Sequence, residues 1–395
     1  MSDGKLLLVA LGAAASADGL KMKKMPRLGA LAARGALVTE VAPVFLSNAY
    51  PCLTSMITGV QPSLHGVIDD TVPGAPSRQW RHTQIKVPTL ITKTRSAGQS
   101  VCSVMWPATL DADTPLQMTD TFPYGRRFRA ALTATSNFAA KAFLKHGRIM
   151  TGEKQPGLDD FAVETVLDCL RTNQPELTLL RLSDYDWHKN VYGPSSSEAQ
   201  DALARYDKRV GLLVDALWET GALNNTDIII CGDYGSLPAA QTVDLNRFLG
   251  AMSSDAKFHQ TGGAAFLRLL RRGDVDLQRR AAKMIKDILD DPQSGVSRVL
   301  SQEEFDASGL GDRFDLGLEA APGYRLSADG EQIKAVHGHT PQSVGNTFYL
   351  AAGPHIPEDL ELSGGCITDI CALSARVLNL PMWDMAGEAR IPVMV

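Results

Sequence analysis

The chain has 395 residues, of which 44% are hydrophobic and 21% are charged. This composition excludes a disordered chain, a collagen-like fibre and a low-complexity array, while the length suits one large α/β domain or two smaller ones. The 39 basic and 44 acidic residues give a net charge of −5, so we predict no general electrostatic footprint for nucleic acid.

Buried strands and amphipathic helices alternate along the chain. Near-continuous apolar runs predict strands at 5–11, 37–45, 101–106, 177–183, 227–231 and 347–352. Helical spacing predicts helices at 26–33, from a Ser195/Glu198 capping box to Gly221, and at 278–291. Strands separated by helices predict an α/β fold, with a mostly parallel central sheet and helices on both faces.

Two stretches interrupt this alternation, at about 108–160 and about 240–335. We predict that both are cap insertions in a single domain spanning 1–395. The first insertion carries a basic cluster, Arg126, Arg127 and Arg129, which is interpreted as a solvated face; the alternative is a contact to an anionic substrate.

The cysteines and the N-terminus bear on location. Six cysteines are scattered without a CxxC pair, and Cys102 and Cys231 lie in apolar runs, so we predict a reduced, cytoplasmic protein. Lys5 and the apolar run after it resemble a short signal peptide, but Asp3 offsets Lys5 and a buried first strand is favoured. No run approaches 18 apolar residues, so no spanning helix and no membrane partner are expected.

Chemistry is expected where the strands end, because ligands of open parallel sheets bind beyond the carboxyl ends of the strands. The candidates there are Asp184 and His188 after the fourth strand, Asp233 and Tyr234 after the fifth, and His337 and His339 before the last. Carboxylates and imidazoles on one sheet edge are a plausible ligand set for a divalent metal of the zinc or iron type.

A series of motifs resembles the alkaline phosphatase superfamily, in its type I phosphodiesterase/nucleotide pyrophosphatase branch, and is similar to phosphonoacetate hydrolase. In chain order they are PRLGALAARG at 26–35, YPCLTSMITGVQPSLHGV at 50–67, SDYDWH at 183–188, GDYG at 232–235, GG at 262–263, PGY at 322–324, HGH at 337–339 and AAGP at 351–354. Each motif is weak by itself, but their common order predicts an alkaline-phosphatase-like fold.

The resemblance implies two metal ions and a covalent Thr or Ser nucleophile. The family positions of the first metal site fall on Asp184, His188 and His337, which are all intact. The positions of the second site and nucleophile fall on Leu11, Ala49, Asp233 and Tyr234, of which only Asp233 keeps its type. An Asn that helps hold the phosphoryl oxygen falls on Cys52.

These departures argue against the family's usual reaction. Ala49 has no oxygen, so it cannot form a covalent phosphoryl intermediate. Without the second metal, an in-line displacement also loses the clamp on one of its two oxygens. We therefore predict one retained metal, zinc first and iron or manganese as alternatives, that supports hydrolytic or lyase-type chemistry on a small, anionic substrate.

The other polar residues receive narrower roles. Asp233 is interpreted as a further ligand, an orienting residue or a general base, and Tyr234 as a hydrogen-bond donor or a core aromatic. Cys52 and His339 are candidate substrate contacts. His65 is interpreted as structural, the Asp69–Asp70 pair as a solvated turn, and Asp18 as an unfavoured replacement for the carboxylate missing at Leu11.

Two other functional classes stay open. One is a two-metal phosphodiesterase whose missing ligands come from elsewhere in the chain, and the other is an inactive relative that binds a ligand or partner. The expected partner is a small molecule, with the chain a monomer or a homodimer.

Overall fold

Three β-sheets organise the molecule, as seen in a computed structural model that describes residues 4–74, 79–120, 136–150 and 154–394. The strands are β1 (Lys5–Leu11), β2 (Gly35–Val41), β3 (Val101–Val104), β4 (Leu116–Met118), β5 (Leu177–Leu182), β6 (Thr226–Gly232), β7 (Leu237–Val243), β8 (Ala256–Gln260), β9 (Ala264–Leu269), β10 (Val296–Val299), β11 (Leu316–Ala320), β12 (Gly323–Leu326), β13 (Ala335–Val336), β14 (Thr347–Ala352) and β15 (Leu360–Ser363).

The helices lie between these strands. They are α1 (Ser16–Met22), α2 (Pro26–Ala33), α3 (Ala49–Thr58), α4 (Pro62–His65), α5 (Leu90–Ser96), α6 (Asn137–His146), α7 (Gly157–Thr172), α8 (Asp184–Tyr192), α9 (Ser197–Glu219), α10 (Val275–Asp290), α11 (Gln302–Ala307), α12 (Pro341–Val344) and α13 (Asp369–Val377). Short 3₁₀ turns occupy His82–Gln84, Ala222–Asn225, Leu245–Phe248 and Gly250–Met252.

The large sheet has eight strands in the order β15-β2-β14-β6-β1-β5-β3-β4. Its neighbouring strands pair in parallel, except that β14 runs antiparallel to both β2 and β6. The carboxyl ends of β1, β5 and β6 therefore meet at one edge, which is where the sequence predicts the site. The mostly parallel α/β fold is confirmed.

Both faces of this sheet are covered, and β1 shows why its sequence is apolar throughout. Leu6, Leu8 and Ala10 pack in a core with α3, α5 and α13, whereas Leu7 and Val9 pack in a second core with α2, α7 and α9. Successive side chains of a strand point to opposite faces, so a strand buried on both sides needs no polar alternation.

The segment between β7 and β13 builds two smaller sheets. The four-stranded sheet has the order β10-β11-β9-β8 and packs on α10 through a core that includes Phe258, Leu267 and Ile288. The three-stranded sheet has the order β12-β7-β13. The division into one core and two cap insertions stays a prediction, and most of the first proposed insertion's centre, with Arg126, Arg127 and Arg129, lies outside the described residues.

The predicted elements agree with the structure most closely for long apolar runs. Strands β1 and β14 and helix α2 have the predicted bounds, whereas β2 ends at Val41 instead of residue 45. The predicted capping box is wrong by one residue, because the Ser196 hydroxyl accepts the hydrogen bond from Ala199 N at 3.2 Å and begins α9. Among the residues with described structure, no helix has both the length and the apolar character that crossing a membrane requires.

Candidate functional site

A polar cavity of about 560 Å³ opens at the carboxyl ends of the central strands. Helix α8 follows β5 directly and α3 follows β2 through the segment 42–48, so both helices begin at this edge. The lining residues used below are Asn48, Ala49, Tyr50, Asp69, Asp70, Asp120, Arg181, Asp186, Asn190, Tyr234, Arg325, Asp329, Glu331 and His337.

Helix α8 presents Asp186 and Asn190 to the cavity. The Tyr234 hydroxyl donates to Asp186 Oδ2 at 3.3 Å, and Asn190 Nδ2 donates to Asp186 Oδ1 at 3.4 Å. The Oδ1 atom of Asn190 is buried and has no hydrogen-bond partner among the described residues. This face of α8 therefore places one carboxylate and one buried amide oxygen without a hydrogen-bond partner at the cavity wall.

Asp184 and His188 lie elsewhere, which corrects the predicted metal triad. Asp184 is fully buried, and its carboxylate accepts from Arg205 Nε and from Arg209 Nη1, each at 2.6 Å. His188 Nδ1 lies 2.9 Å from Asp184 Oδ1, and the imidazole ring of His188 stacks on the ring of Tyr192. The pair thus belongs to an ion-pair network between α8 and α9, whereas His337 lines the cavity.

The electrostatics of Asp184 agree with this structural role. Burial raises the pKa of its carboxyl, but the hydrogen bonds of Arg205 and the charge of Arg209 outweigh burial and leave the pKa below its ordinary value. Arg205 Nη2 also donates to Asp184 Oδ1 at 3.0 Å, so guanidinium groups bind both oxygens of this carboxylate.

The N-terminus of α3 places Ala49 in the cavity wall. Ala49 is the first helical residue, and the backbone N–H of Tyr50 donates to Asp70 Oδ1 at 2.9 Å. Helix N-termini bind anions through such N–H groups. Here a carboxylate of the same chain already occupies that position.

Four side chains form a hydrogen-bonded series from the cavity into the smaller sheet. His337 Nδ1 lies 2.7 Å from Asn48 Oδ1, Asn48 Nδ2 donates to Asp69 Oδ1 at 2.9 Å, and Asp69 Oδ2 lies 2.7 Å from His259 Nε2. Because the Asn48 amide nitrogen donates to Asp69, its oxygen accepts from His337 Nδ1–H. In neutral His337 the Nε2 atom is then an acceptor.

The absence of a side chain at Gly338 leaves room for this series. Its φ is +88°, and a Cβ there would lie 2.8 Å from Asn48 Oδ1 and 2.6 Å from the Thr261 carbonyl oxygen. Glycine is therefore required between His337 and His339, which gives a physical reason for the HGH motif.

Asp233 follows β6 and is fully buried. Its Oδ1 accepts from the backbone N–H groups of Ala13 and Tyr234, both at 2.8 Å. Its Oδ2 lies 3.7 Å from Arg181 Nε, and Arg181 Nη1 lies 3.3 Å from Asp120 Oδ2. A guanidinium group from β5 therefore sits between two buried carboxylates.

Three groups have strongly shifted pKa values: Asp70 and Tyr234 in the cavity lining, and Asp233 next to Arg181. Burial raises the pKa of the Asp233 carboxyl to about 7, although the Arg181 charge lowers it. Burial also raises the pKa of Asp70 to about 6, with His337 opposing and Asp69 adding to the shift. Burial raises the pKa of Tyr234 well above its ordinary value, so its hydroxyl stays protonated and donates.

Several predicted site residues lie outside the cavity. Leu11 is fully buried in the core beneath the sheet edge, and Cys52 is fully buried with Sγ 3.9 Å from the Leu46 carbonyl oxygen. His339 is 1% exposed and lies 3.8 Å from Glu319 Oε1. Both residues are buried and lie outside the cavity lining, so their roles as substrate contacts stay predictions.

Of the remaining residues interpreted from the sequence, some have the predicted role and others do not. His65 is structural as predicted, with Ser55 Oγ 2.9 Å from Nε2 and Val67 N donating to Nδ1. Asp18 accepts from the Tyr185 hydroxyl at 3.1 Å and does not line the cavity. The interpretation of Asp69 and Asp70 as a solvated turn is wrong, because both line the cavity and accept hydrogen bonds.

The residues present do not fit the two-metal centre that the resemblance implies. Asp184 is held by two arginines, and Asp233 Oδ2 faces a third. In the ranges that the structure describes, no three His, Cys, Asp or Glu side chains form a group able to hold a metal ion. No reaction step is therefore assigned to a metal.

Sequence reasoning missed Arg181, Asp186, Asn190, Asp70 and Asn48. A signal was available for Asp186 and Asn190, since they repeat the four-residue spacing of Asp184 and His188 two positions later. For Arg181 the signal was a charge in an otherwise apolar strand, but nothing in that strand identifies its partners.

Comparisons with known proteins identify the family of the chain. The family model for type I phosphodiesterase / nucleotide pyrophosphatase matches residues 7–327. The human bis(5'-adenosyl)-triphosphatase ENPP4 is 24% identical over 254 residues, which cover 60% of this chain and 48% of that protein. Human ectonucleotide pyrophosphatase/phosphodiesterase family member 1 is 22% identical over 62% of this chain and 24% of its own length. The chain thus spans about half the length of ENPP4 and a quarter of the second relative.

Solved structures show the same fold. Murine ectonucleotide pyrophosphatase/phosphodiesterase 5, in an inactive form in complex with AMP, superimposes with a TM-score of 0.71 at 18% identity, covering 98% of this chain and 97% of that one. The human counterpart gives a TM-score of 0.72 at 18% identity, with the same coverage. At this identity the likeness concerns the fold.

Proposed function

Because the chain belongs to the type I phosphodiesterase/nucleotide pyrophosphatase family, we propose that it is a hydrolase-like member that binds a small polar ligand beside Ala49. It does so without the family's covalent phosphoryl transfer. The observation that carries the proposal is the N-terminus of α3, where a methyl group stands in the cavity wall and Asp70 accepts from the adjacent N–H.

The chemistry of this helix terminus opposes phosphoryl transfer in two ways. A methyl group supplies no nucleophile, so a covalent intermediate cannot form at Ala49. A phosphoryl oxygen that approached the Tyr50 N–H would also meet the Asp70 carboxylate, which makes a hydrogen bond of 2.9 Å there. Two anions at one donor repel each other.

The charge of the cavity supports a ligand that is not an anion. Among the described lining residues, six carboxylates face two guanidinium groups. Each arginine is already paired within the lining, Arg181 with Asp120 and Arg325 with Asp329. The remaining negative charge favours hydroxyl groups and protonated amines. This departs from the anionic substrate expected from the sequence.

Calorimetric titration with three matched sugars tests this charge preference. Glucosamine, glucose and glucose 6-phosphate differ at one substituent each and carry positive, zero and negative charge. We expect glucosamine to bind at least about tenfold more tightly than glucose 6-phosphate, which is about 1.4 kcal/mol. Asp186→Asn is the matched control and should reduce the difference. Tighter binding of the phosphate would contradict the proposal.

A phosphodiesterase assay tests the proposed loss of covalent phosphoryl transfer. With bis(p-nitrophenyl) phosphate and zinc chloride, the protein should release nitrophenol no faster than zinc chloride alone. Turnover that grows in proportion to protein concentration would overturn the claim that covalent transfer has been lost without replacement.

A second candidate is hydrolysis at a single divalent metal, zinc first, with Asp186 in place of Asp184. The observation that favours it is that Asp186, Asn190 and His337 line one cavity and that Asn190 Oδ1 is buried without a hydrogen-bond partner among the described residues. Metal content after dialysis separates the candidates, since only this one requires about one metal per chain that Asp186→Asn removes.

A small-molecule partner and a cytoplasmic location remain part of the proposal.

A further inference from the structure

A buried arginine, Arg181, lies beside Asp233. This arginine is the penultimate residue of β5, and its side chain is 7% exposed. The Nε atom faces Asp233 Oδ2 at 3.7 Å, and Nη1 faces Asp120 Oδ2 at 3.3 Å. Asp120 and Asp233 are 1% and 0% exposed. Buried carboxylates in this number require a cation nearby.

The two oxygens of the Asp233 carboxylate have different surroundings. Oδ1 accepts from two backbone N–H groups, those of Ala13 and Tyr234. Oδ2 makes no hydrogen bond among the described residues, and the guanidinium group of Arg181 lies within ion-pair distance of it. A metal bound to Oδ2 at about 2 Å could lie no farther than about 6 Å from Arg181 Nε. Such a dication would be repelled by the guanidinium charge.

We propose that the guanidinium group of Arg181 takes the place of a metal cation beside Asp233. Its fixed charge holds the buried carboxylates of Asp120 and Asp233 together and excludes a divalent metal from this position. This inference rests on the proposed function, because both describe a cavity without the family's second metal. It adds the residue whose charge lies where that metal would be needed.

The test compares zinc binding in variants that differ only in the charge at position 181. Arg181→Met removes the charge and keeps most of the length, whereas Arg181→Lys keeps the charge. We expect zinc chloride to leave the melting temperature of wild type and Arg181→Lys unchanged. It should raise that of Arg181→Met by about 5 °C, and about one zinc per chain should survive dialysis.

A double variant shows whether the zinc is bound at Asp233. Arg181→Met combined with Asp233→Asn should lose both the rise in melting temperature and the retained zinc. If Arg181→Met folds only when zinc is present during purification, that rescue supports the proposal in the same way. No response of Arg181→Met to zinc would overturn it.

Wild type provides a measurement that does not depend on how well Arg181→Met folds. Zinc binding by wild type that Asp233→Asn abolishes would overturn the inference, because metal and guanidinium would then share the carboxylate. Zinc binding that survives Asp233→Asn and is lost in Asp186→Asn would contradict the first candidate function in favour of the second, and it would support the inference, since the metal would avoid Arg181.

Discussion

The two faces of helix α8 carry the same pattern and have different roles. Asp184 and His188 are four residues apart, and so are Asp186 and Asn190, but the second pair starts two residues later. Two residues correspond to about 200° around an α-helix, so the pairs point in opposite directions. One pair meets the arginines of α9 and the other faces the cavity. Spacing alone does not tell which of two such pairs is functional.

The first and largest prediction tests the buried face. Asp184→Asn should lower the free energy of unfolding by about 3 kcal/mol, because Arg209, which is 3% exposed, loses the closest of its ion-pair partners. Asp186→Asn, on the cavity face, should lower it by less than about 1 kcal/mol. Urea unfolding of both variants measures this, and equal losses would show that the two faces do not differ.

The second prediction concerns the buried imidazole of His65. Burial lowers its pKa to about 3 from an ordinary 6.5, so the folded state keeps it neutral. The stability is present above pH 6.5 and is lost as pH falls toward 3, at about 1.4 kcal/mol per unit, because the unfolded chain binds the proton first. Wild type should therefore lose about 2–3 kcal/mol more than His65→Gln between pH 6.5 and 4.5.

The quantity to compare is the difference in the free energy of unfolding, measured in urea, between wild type and His65→Gln. Asp70 and Asp233 have raised pKa values and change stability in the opposite direction over part of this range. Identical pH slopes for wild type and His65→Gln would mean that His65 is accessible to protons in the folded state.

The third prediction uses the carboxylate at the α3 terminus. The folded pKa of Asp70 is about 6 against an ordinary 3.8, so its favourable contribution is present below pH 3.8 and is lost as pH rises through 6. Asp70→Asn keeps an acceptor for the Tyr50 N–H and should raise stability at pH 8 by about 1–2 kcal/mol. Thermal unfolding at pH 8 and pH 4 should show the gain at the higher pH alone; an equal gain at both would refute the assignment.

The fourth and smallest expected effect is on catalysis. Ala49→Thr restores a hydroxyl but leaves Asp70 on the adjacent N–H and Arg181 beside Asp233. Hydrolysis of bis(p-nitrophenyl) phosphate should therefore stay at the wild-type level. Activity that appears in this variant alone would mean that the nucleophile was the only missing part of the machinery.

The fold was predictable because its signals are strong and local. Strand β1 is apolar at every position since both of its faces are buried, and helix α2 begins with Pro26 and is followed by Gly35. The sheet edge that holds the site also followed from the alternation of strands and helices. The exact starts of elements were less certain, as Ser196 in place of Ser195 shows.

The sequence predicted only those parts of the site whose positions follow from the end of a strand. His337 and Tyr234 line the cavity, and Asp233 lies next to Arg181 at the same sheet edge. The pairing of Asp184 with Arg205 and Arg209 depends on residues about 20 positions away on another helix, which no local pattern encodes. The same holds for Arg181, whose charge would not be expected inside an apolar strand.

Strand β14 has a consequence for the order in which the chain assembles. It lies between β2 and β6, although its residues 347–352 follow those strands by more than a hundred positions. During synthesis, β2 can join the large sheet only after β14 has emerged. Until then, the backbone N–H and C=O groups along one edge of β6 have no partner strand. Nascent chains that stop before residue 347 should therefore aggregate or recruit chaperones, because exposed sheet edges pair with other chains.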